Sequence, residues 1–123
     1  MNRAFLIGVV FALLFTGRTN GQTPQVPSYT GEQLLHDCTE NDDSPEQTWH
    51  CIGFIEGVWA GATWITYADK PKKPRFVLPE GSRLGDVTEV VIKFLKEHPK
   101  DVHFDAGVLV ISALENGFPP KKR

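Results

Sequence analysis

His36, Cys38, His50 and Cys51 are the residues best suited to chemistry, two short-range pairs of sulfur and imidazole. Those are the ligand types zinc prefers, so a tetrahedral metal site is one reading. A disulfide between Cys38 and Cys51 is the other. No C-x-x-C pair is present, which weakens both a zinc ribbon and a thiol redox site. With two cysteines the connectivity of a crosslink is forced, and an oxidising compartment makes the crosslink the simpler expectation. In the chain-entropy view, closing a loop of this length is worth on the order of 3 kcal/mol. No metal or cofactor is then expected.

Other catalytic chemistry finds little support. The sequence has no G-x-S-x-G, no H-E-x-x-H and no Walker loop. His98 and His103 remain, five residues apart, without an acid to orient either one. A disulfide would also consume the only thiols. The chain is therefore expected to bind rather than catalyse.

The positioning elements begin with a leader. Arg3 precedes a twelve-residue apolar run, Ala4 to Phe15, and a small polar exit, Thr16 to Gly21. That order of charge, apolar stretch and small residues is signal-peptide architecture, with cleavage expected after Gly21. Twelve helical residues rise only about 18 Å, short of the roughly 30 Å hydrocarbon core, so a spanning anchor is the poorer reading. The expected location is periplasmic or secreted, with no membrane association after cleavage.

The 123 residues are 41% hydrophobic and 23% charged, which fits one globular domain rather than a disordered tail. Thirteen basic against fifteen acidic side chains give a net charge of −2, and loss of Arg3 and Arg18 with the leader takes it to −4. That balance opposes nucleic-acid binding.

Residues 22–29, with Pro24 and Pro27, read as an extended lead-in. Thr30 and Gln33 form a capping-box pair that opens a short helix through Leu34, Leu35 and Cys38. Ser44 and Pro45 start the longest helix, which runs to about Thr66. Its expected core face carries Cys51, Phe54, Ile55, Val58, Ala62 and Ile65. Gly53, Gly57 and Gly61 recur every four residues, a spacing that admits close approach by another helix. Ile52, Glu56, Trp59 and Thr63 make a third stripe, either partner surface or an ordinary amphipathic margin.

A proline-bearing stretch, 68–81, cannot be helical. It holds Lys70, Lys72, Lys73 and Arg75, so it reads as a solvated loop or as a docking loop. Ser82 is expected to cap a third helix ending before Pro99, with Leu84, Val87, Val90, Val91, Phe94 and Leu95 inward and a Glu89–Lys93 pair outward. His98 reads as a packed histidine. A fourth helix, about Phe104 to Asn116, is apolar nearly all round and should be central, with Gly117 as its stop and residues 120–123 as a frayed basic tail. The expected fold is all-α: a small bundle of four helices with one disulfide, behind a cleaved leader.

Four stretches resemble the Rap/Tai-type immunity proteins, exported helical proteins that protect bacteria from type VI secreted peptidoglycan amidases. They are TGEQLLHDC from Thr30, CIGFIEGVWAGA from Cys51, LPEGSRLGDVTEVVIKFLKEHP from Leu78 and AGVLVISALENGFP from Ala106. The third is the most specific. In that family a cysteine commonly follows the phenylalanine before the Leu-Pro-Glu-Gly turn, and another follows the closing Phe-Pro. Here those places hold Val77 and Pro120, as loss of one disulfide would leave them. Relatives often carry an acidic residue after the helix-two glycines, where this chain has Ala60.

The resemblance implies a domain over 30–119 that neutralises an amidase by binding it, often as a homodimer that presses a loop into the catalytic cleft. Glu56, Trp59 and Thr63 with Lys70, Lys72, Lys73 and Arg75 are the expected partner contacts. A periplasmic acid-stress chaperone is the alternative, since an acidic helical dimer with one disulfide could open as its carboxylates protonate.

Overall fold

The computed structural model describes residues 28–40, 44–68 and 73–121. The expected leader, most of the lead-in, the end of the tail, and Lys70 and Lys72 lie outside them. Four helices make up the described residues: α1 Gly31–Thr39, α2 Pro45–Ala68, α3 Leu84–Glu97 and α4 Ala106–Gly117.

The capping box forms as the sequence predicts. Gln33 N donates to Thr30 Oγ1 at 3.3 Å, and Thr30 N donates to Gln33 Oε1 at 2.9 Å. Two further donors of the first turn of α1 are satisfied from outside the helix: Gly31 N donates to Phe104 O and Glu32 N to Val102 O. Ala106 N donates to Tyr29 O, so Thr30 and Asp105 form an isolated antiparallel bridge that pins the entry of α1 to the entry of α4. Gly31 sits in that crossing. A Cβ there would run into Leu109 Cδ1 and stand 3.1 Å from Val102 O, so a larger residue would force both neighbours to give way.

Asp105 caps α4 by accepting from Val108 N, and the helix therefore begins at Ala106, two residues later than the sequence predicts. Ser82 does not cap α3. Its hydroxyl donates to Pro79 O inside the turn that Gly81 makes at φ +82°, and the Asp86 carboxylate accepts from Arg83 N instead. Lys93 faces Glu97 at 3.9 Å, in place of the expected Glu89 pairing.

The core unites all four helices: Leu34 and Cys38 from α1, Cys51 and Ile55 from α2, Val87, Val91 and Leu95 from α3, and Ala106, Leu109, Val110, Ala113 and Leu114 from α4. Helix α4 is central as expected, except that Val108 falls on its narrow polar stripe with Asp105 and Ser112 and is exposed. Gly117 is the last residue of α4, packed so close that a Cβ would meet Val90 Cγ1 at 2.5 Å.

Helix α2 outruns the rest. Its 24 residues span about 36 Å against about 21 Å for the 14 of α3, so its last turns overhang the bundle. That is why Ile65, placed by periodicity on the core face, is 65% exposed. Trp64, one residue before it, is exposed as well.

Candidate functional site

Cys38 and Cys51 are joined, with Cα atoms 5.2 Å apart, and clamp the end of α1 to the start of α2. The zinc reading falls with that bond, because neither sulfur is left as a thiolate. The two histidines serve other partners. His36 Nε2 lies 3.3 Å from Glu40 Oε2, one turn along α1. His50 Nδ1 lies 2.7 Å from Asp37 Oδ2, which also accepts from Tyr29 Oη at 2.6 Å.

Tyr29, Asp37 and His50 thus form a polar knot over the disulfide, drawn from the lead-in, α1 and α2. Its apolar side is closed by Tyr29 packing edge-on to Phe54, ring centres 4.9 Å apart. Burial alone would raise the Asp37 carboxyl. The Tyr29 and His50 hydrogen bonds, with the charge of protonated His50 and His36, outweigh it and hold the carboxyl below its ordinary value. The Tyr29 phenol is pushed well above its own, first by burial and then by the Asp37 bond and charge. Both bonds end on the one Asp37 oxygen, so the knot clasps the lead-in to α1 and α2.

His98 is packed, as its place beside the apolar stripe predicts: its ring stacks on Phe94 at 4.1 Å and Nδ1 donates to Phe94 O at 2.8 Å. His103 is exposed beside Phe104. A hollow of about 390 Å³ is lined by Glu89, Ile92, Lys93, Lys96 and Glu97, all from α3, so it has a single wall and is no catalytic cleft.

The expected contact residues divide. Glu56 is exposed on α2, with Thr63 half-buried on the same stripe. Trp59 is half-buried and packs against the core, so it is a supporting wall more than a free anchor. Lys73 and Arg75 are exposed in the loop, but Arg75 Nε already pairs with Glu115 of α4. Phe76 anchors that loop in the core and Val77 N donates to Phe118 O, so its far end is held on the rigid bundle.

Sequence reasoning missed Trp49 and Trp64, 70% and 74% exposed. Fifteen residues apart on one helix, they share a face with Gly53, Gly57 and Ala60. A Cβ at Gly53, Gly57 or Gly61 would meet nothing within 4 Å among the described residues, so none of them makes the close helix approach expected there. Each glycine still costs about 1 kcal/mol of helix propensity relative to Ala.

The Rap1a immunity protein family model matches residues 30–119, from the capping threonine of α1 to the proline after α4. The chain belongs to the Rap1a immunity protein family. The match covers all four helices and both cysteines of the Rap1a domain, and starts after residue 29. Comparisons with curated proteins and with solved structures give no significant match. Among the described residues of this Rap1a protein, no helix is long and apolar enough to cross a membrane.

Proposed function

We propose that this Rap1a-family chain is exported to the periplasm, where it binds a type VI secreted peptidoglycan amidase and blocks it without catalysis, acting as a homodimer. The family match over 30–119 carries this reading. The arrangement of the surface supports it. Immunity by binding needs a rigid scaffold presenting contacts that move little on docking. Here a disulfide and a polar knot fix α1 to α2, and Phe76 ties the basic loop to the core.

The amidase contacts are the α2 stripe of Glu56 and Thr63, backed by Trp59, and the loop residues Lys70, Lys72, Lys73 and Arg75. A loop that is basic on an otherwise acidic protein suits an acidic cleft and speeds encounter with it.

The test is direct. Purified protein is mixed with a type VI amidase effector and the release of peptidoglycan fragments is followed, with calorimetry alongside. Stoichiometric inhibition with nanomolar affinity is expected. An amidase panel from type VI systems that neither binds nor slows in the presence of excess protein overturns the reading.

A further inference from the structure

We propose that the Asp37–His50 hydrogen bond is the template for the Cys38–Cys51 disulfide: it holds the two thiols in register before they are oxidised. Asp37 and His50 are then positioning residues for the crosslink, beyond their part in the clasp described above.

Two rungs cross the junction of α1 and α2 at the same sequence separation of 13. One joins Asp37 Oδ2 to His50 Nδ1 at 2.7 Å; the other joins Cys38 to Cys51, with Cα atoms 5.2 Å apart. The rungs are neighbours on both helices, so fixing the first leaves the second little freedom. The Cα separation lies within the roughly 4.4–6.8 Å that a disulfide spans without backbone movement. The polar rung has supports of its own. Tyr29 Oη donates to the same Oδ2 at 2.6 Å, and its ring meets His50 edge-on, centres 5.0 Å apart, so one phenol orients both partners. Tyr29 O accepts from Ala106 N, which ties that phenol to α4. His36 Nδ1 stands 3.7 Å from the other oxygen, Oδ1, and leaves Oδ2 to His50 and Tyr29. Leu34 and Ile55, each one helical turn from a cysteine, are fully buried and hold both helices to the core.

Oxidation uses this arrangement in its second step. Each cysteine first loses its proton to solvent. One thiolate attacks an external disulfide, binds one of its sulfurs and releases the other as a thiolate. The second cysteine then attacks this mixed disulfide, closes the Cys38–Cys51 bond and expels the remaining external thiolate, so two electrons pass from the cysteines to the external disulfide. That closing step is intramolecular, and it follows the effective concentration of one thiol at the other.

Equilibrating the protein with reduced glutathione and glutathione disulfide at neutral pH, then quenching with acid and weighing the products by mass spectrometry, reads the fraction crosslinked. Circular dichroism of the reduced natural chain is expected to show a folded helical bundle. His50→Ala and Asp37→Asn should each lower the equilibrium constant for crosslinking about tenfold, the scale of a hydrogen bond to a charged group. The double variant should lower it no further, because either change removes the whole rung. His50→Asn, which puts an amide donor where Nδ1 stands, should recover part of the loss. Leu109→Ala truncates a buried residue that meets α1 at Gly31, the end away from the cysteines, so it should lower Tm yet leave the constant within about twofold. A reduced natural chain without helical structure overturns the proposal, since nothing would then hold the thiols together before they join. A constant that Asp37→Asn and His50→Ala leave unchanged overturns it too, as does one that Leu109→Ala lowers equally or one whose losses add in the double variant.

Discussion

Asp37 receives His50 and Tyr29 on the same oxygen, Oδ2, at 2.7 and 2.6 Å, so one carboxylate ties three chain segments together above the Cys38–Cys51 bond. The shifts on Asp37 and Tyr29 have opposite signs. Asp37 is held below its unfolded value, so its stabilisation is present above about pH 4 and is lost as pH falls through its folded value. Tyr29 is raised above its unfolded value, so its stabilisation is full below about pH 10 and is lost as pH climbs further. Tm measured against pH should therefore decline at both ends. Asp37→Asn should lower Tm at neutral pH and flatten both declines; a profile unchanged by the substitution would show that the knot carries no weight.

The disulfide closes a loop with a sequence separation of 13. Its loss in Cys38→Ser or Cys51→Ser should cost about 3 kcal/mol, or 10 °C or more of Tm in a domain this size. The double variant should match either single one, because each already removes the whole crosslink. Thermal denaturation followed by circular dichroism decides it, and a drop under about 1 kcal/mol would count against the loop-entropy account.

Two glycines should respond to the same substitution with opposite sign. Gly31→Ala drives a methyl into Leu109 Cδ1 and the Val102 carbonyl, an overpacking expected to cost about 1–3 kcal/mol. Gly57→Ala adds a methyl in open space on a helix and should raise monomer stability by roughly 0.5–1 kcal/mol. Chemical denaturation of both variants at low protein concentration, where association does not contribute, tests the contrast.

The contrast also marks how far the sequence could be read. The Thr30 capping box, the Pro45 start, the cysteine pair and the apolar stripes of α1 and α3 were legible because each rests on local spacing. Ile65 and the meaning of Gly53, Gly57 and Gly61 were not, since periodicity gives a face and not the length of the neighbour that covers it. Trp59 illustrates the same limit: it shares a stripe with Glu56, yet the turn of α2 tips it against the core. Trp49 and Trp64 were within reach, because their separation places them on the glycine face. The Ser82 cap failed for a different reason. A hydroxyl beside a turn has two acceptable partners, and Pro79 O won.

Charge in the loop gives a prediction about rate. Lys73 is exposed and its loop is fixed at Phe76, so Lys73→Glu should leave the unfolding free energy within about 0.5 kcal/mol of the parent. Association with an amidase should slow several-fold, with the difference shrinking as salt is raised. Stopped-flow measurement at two ionic strengths separates this from Arg75→Ala, which also removes the contact to Glu115 and should lower stability slightly. An association rate indifferent to Lys73→Glu at low salt would take the loop out of the docking surface.

Val77 and Pro120 occupy the places where the family resemblance leads us to expect a second cysteine pair, and the fold brings their two segments together. Val77 N donates to Phe118 O at 2.9 Å, so the loop strand and the segment after α4 already run side by side. Val77 is 48% exposed and Pro120 is exposed, so neither side chain fills core that a substitution would empty. Val77→Cys with Pro120→Cys should therefore oxidise to a second intrachain disulfide. Closing this longer loop should add stability on the order of 3–4 kcal/mol, less any strain the new bond introduces. Mass spectrometry before and after reduction reads the bond, and Tm under the two conditions reads its worth. Free thiols in the double variant after air oxidation would mean that the two segments pair only through their backbones.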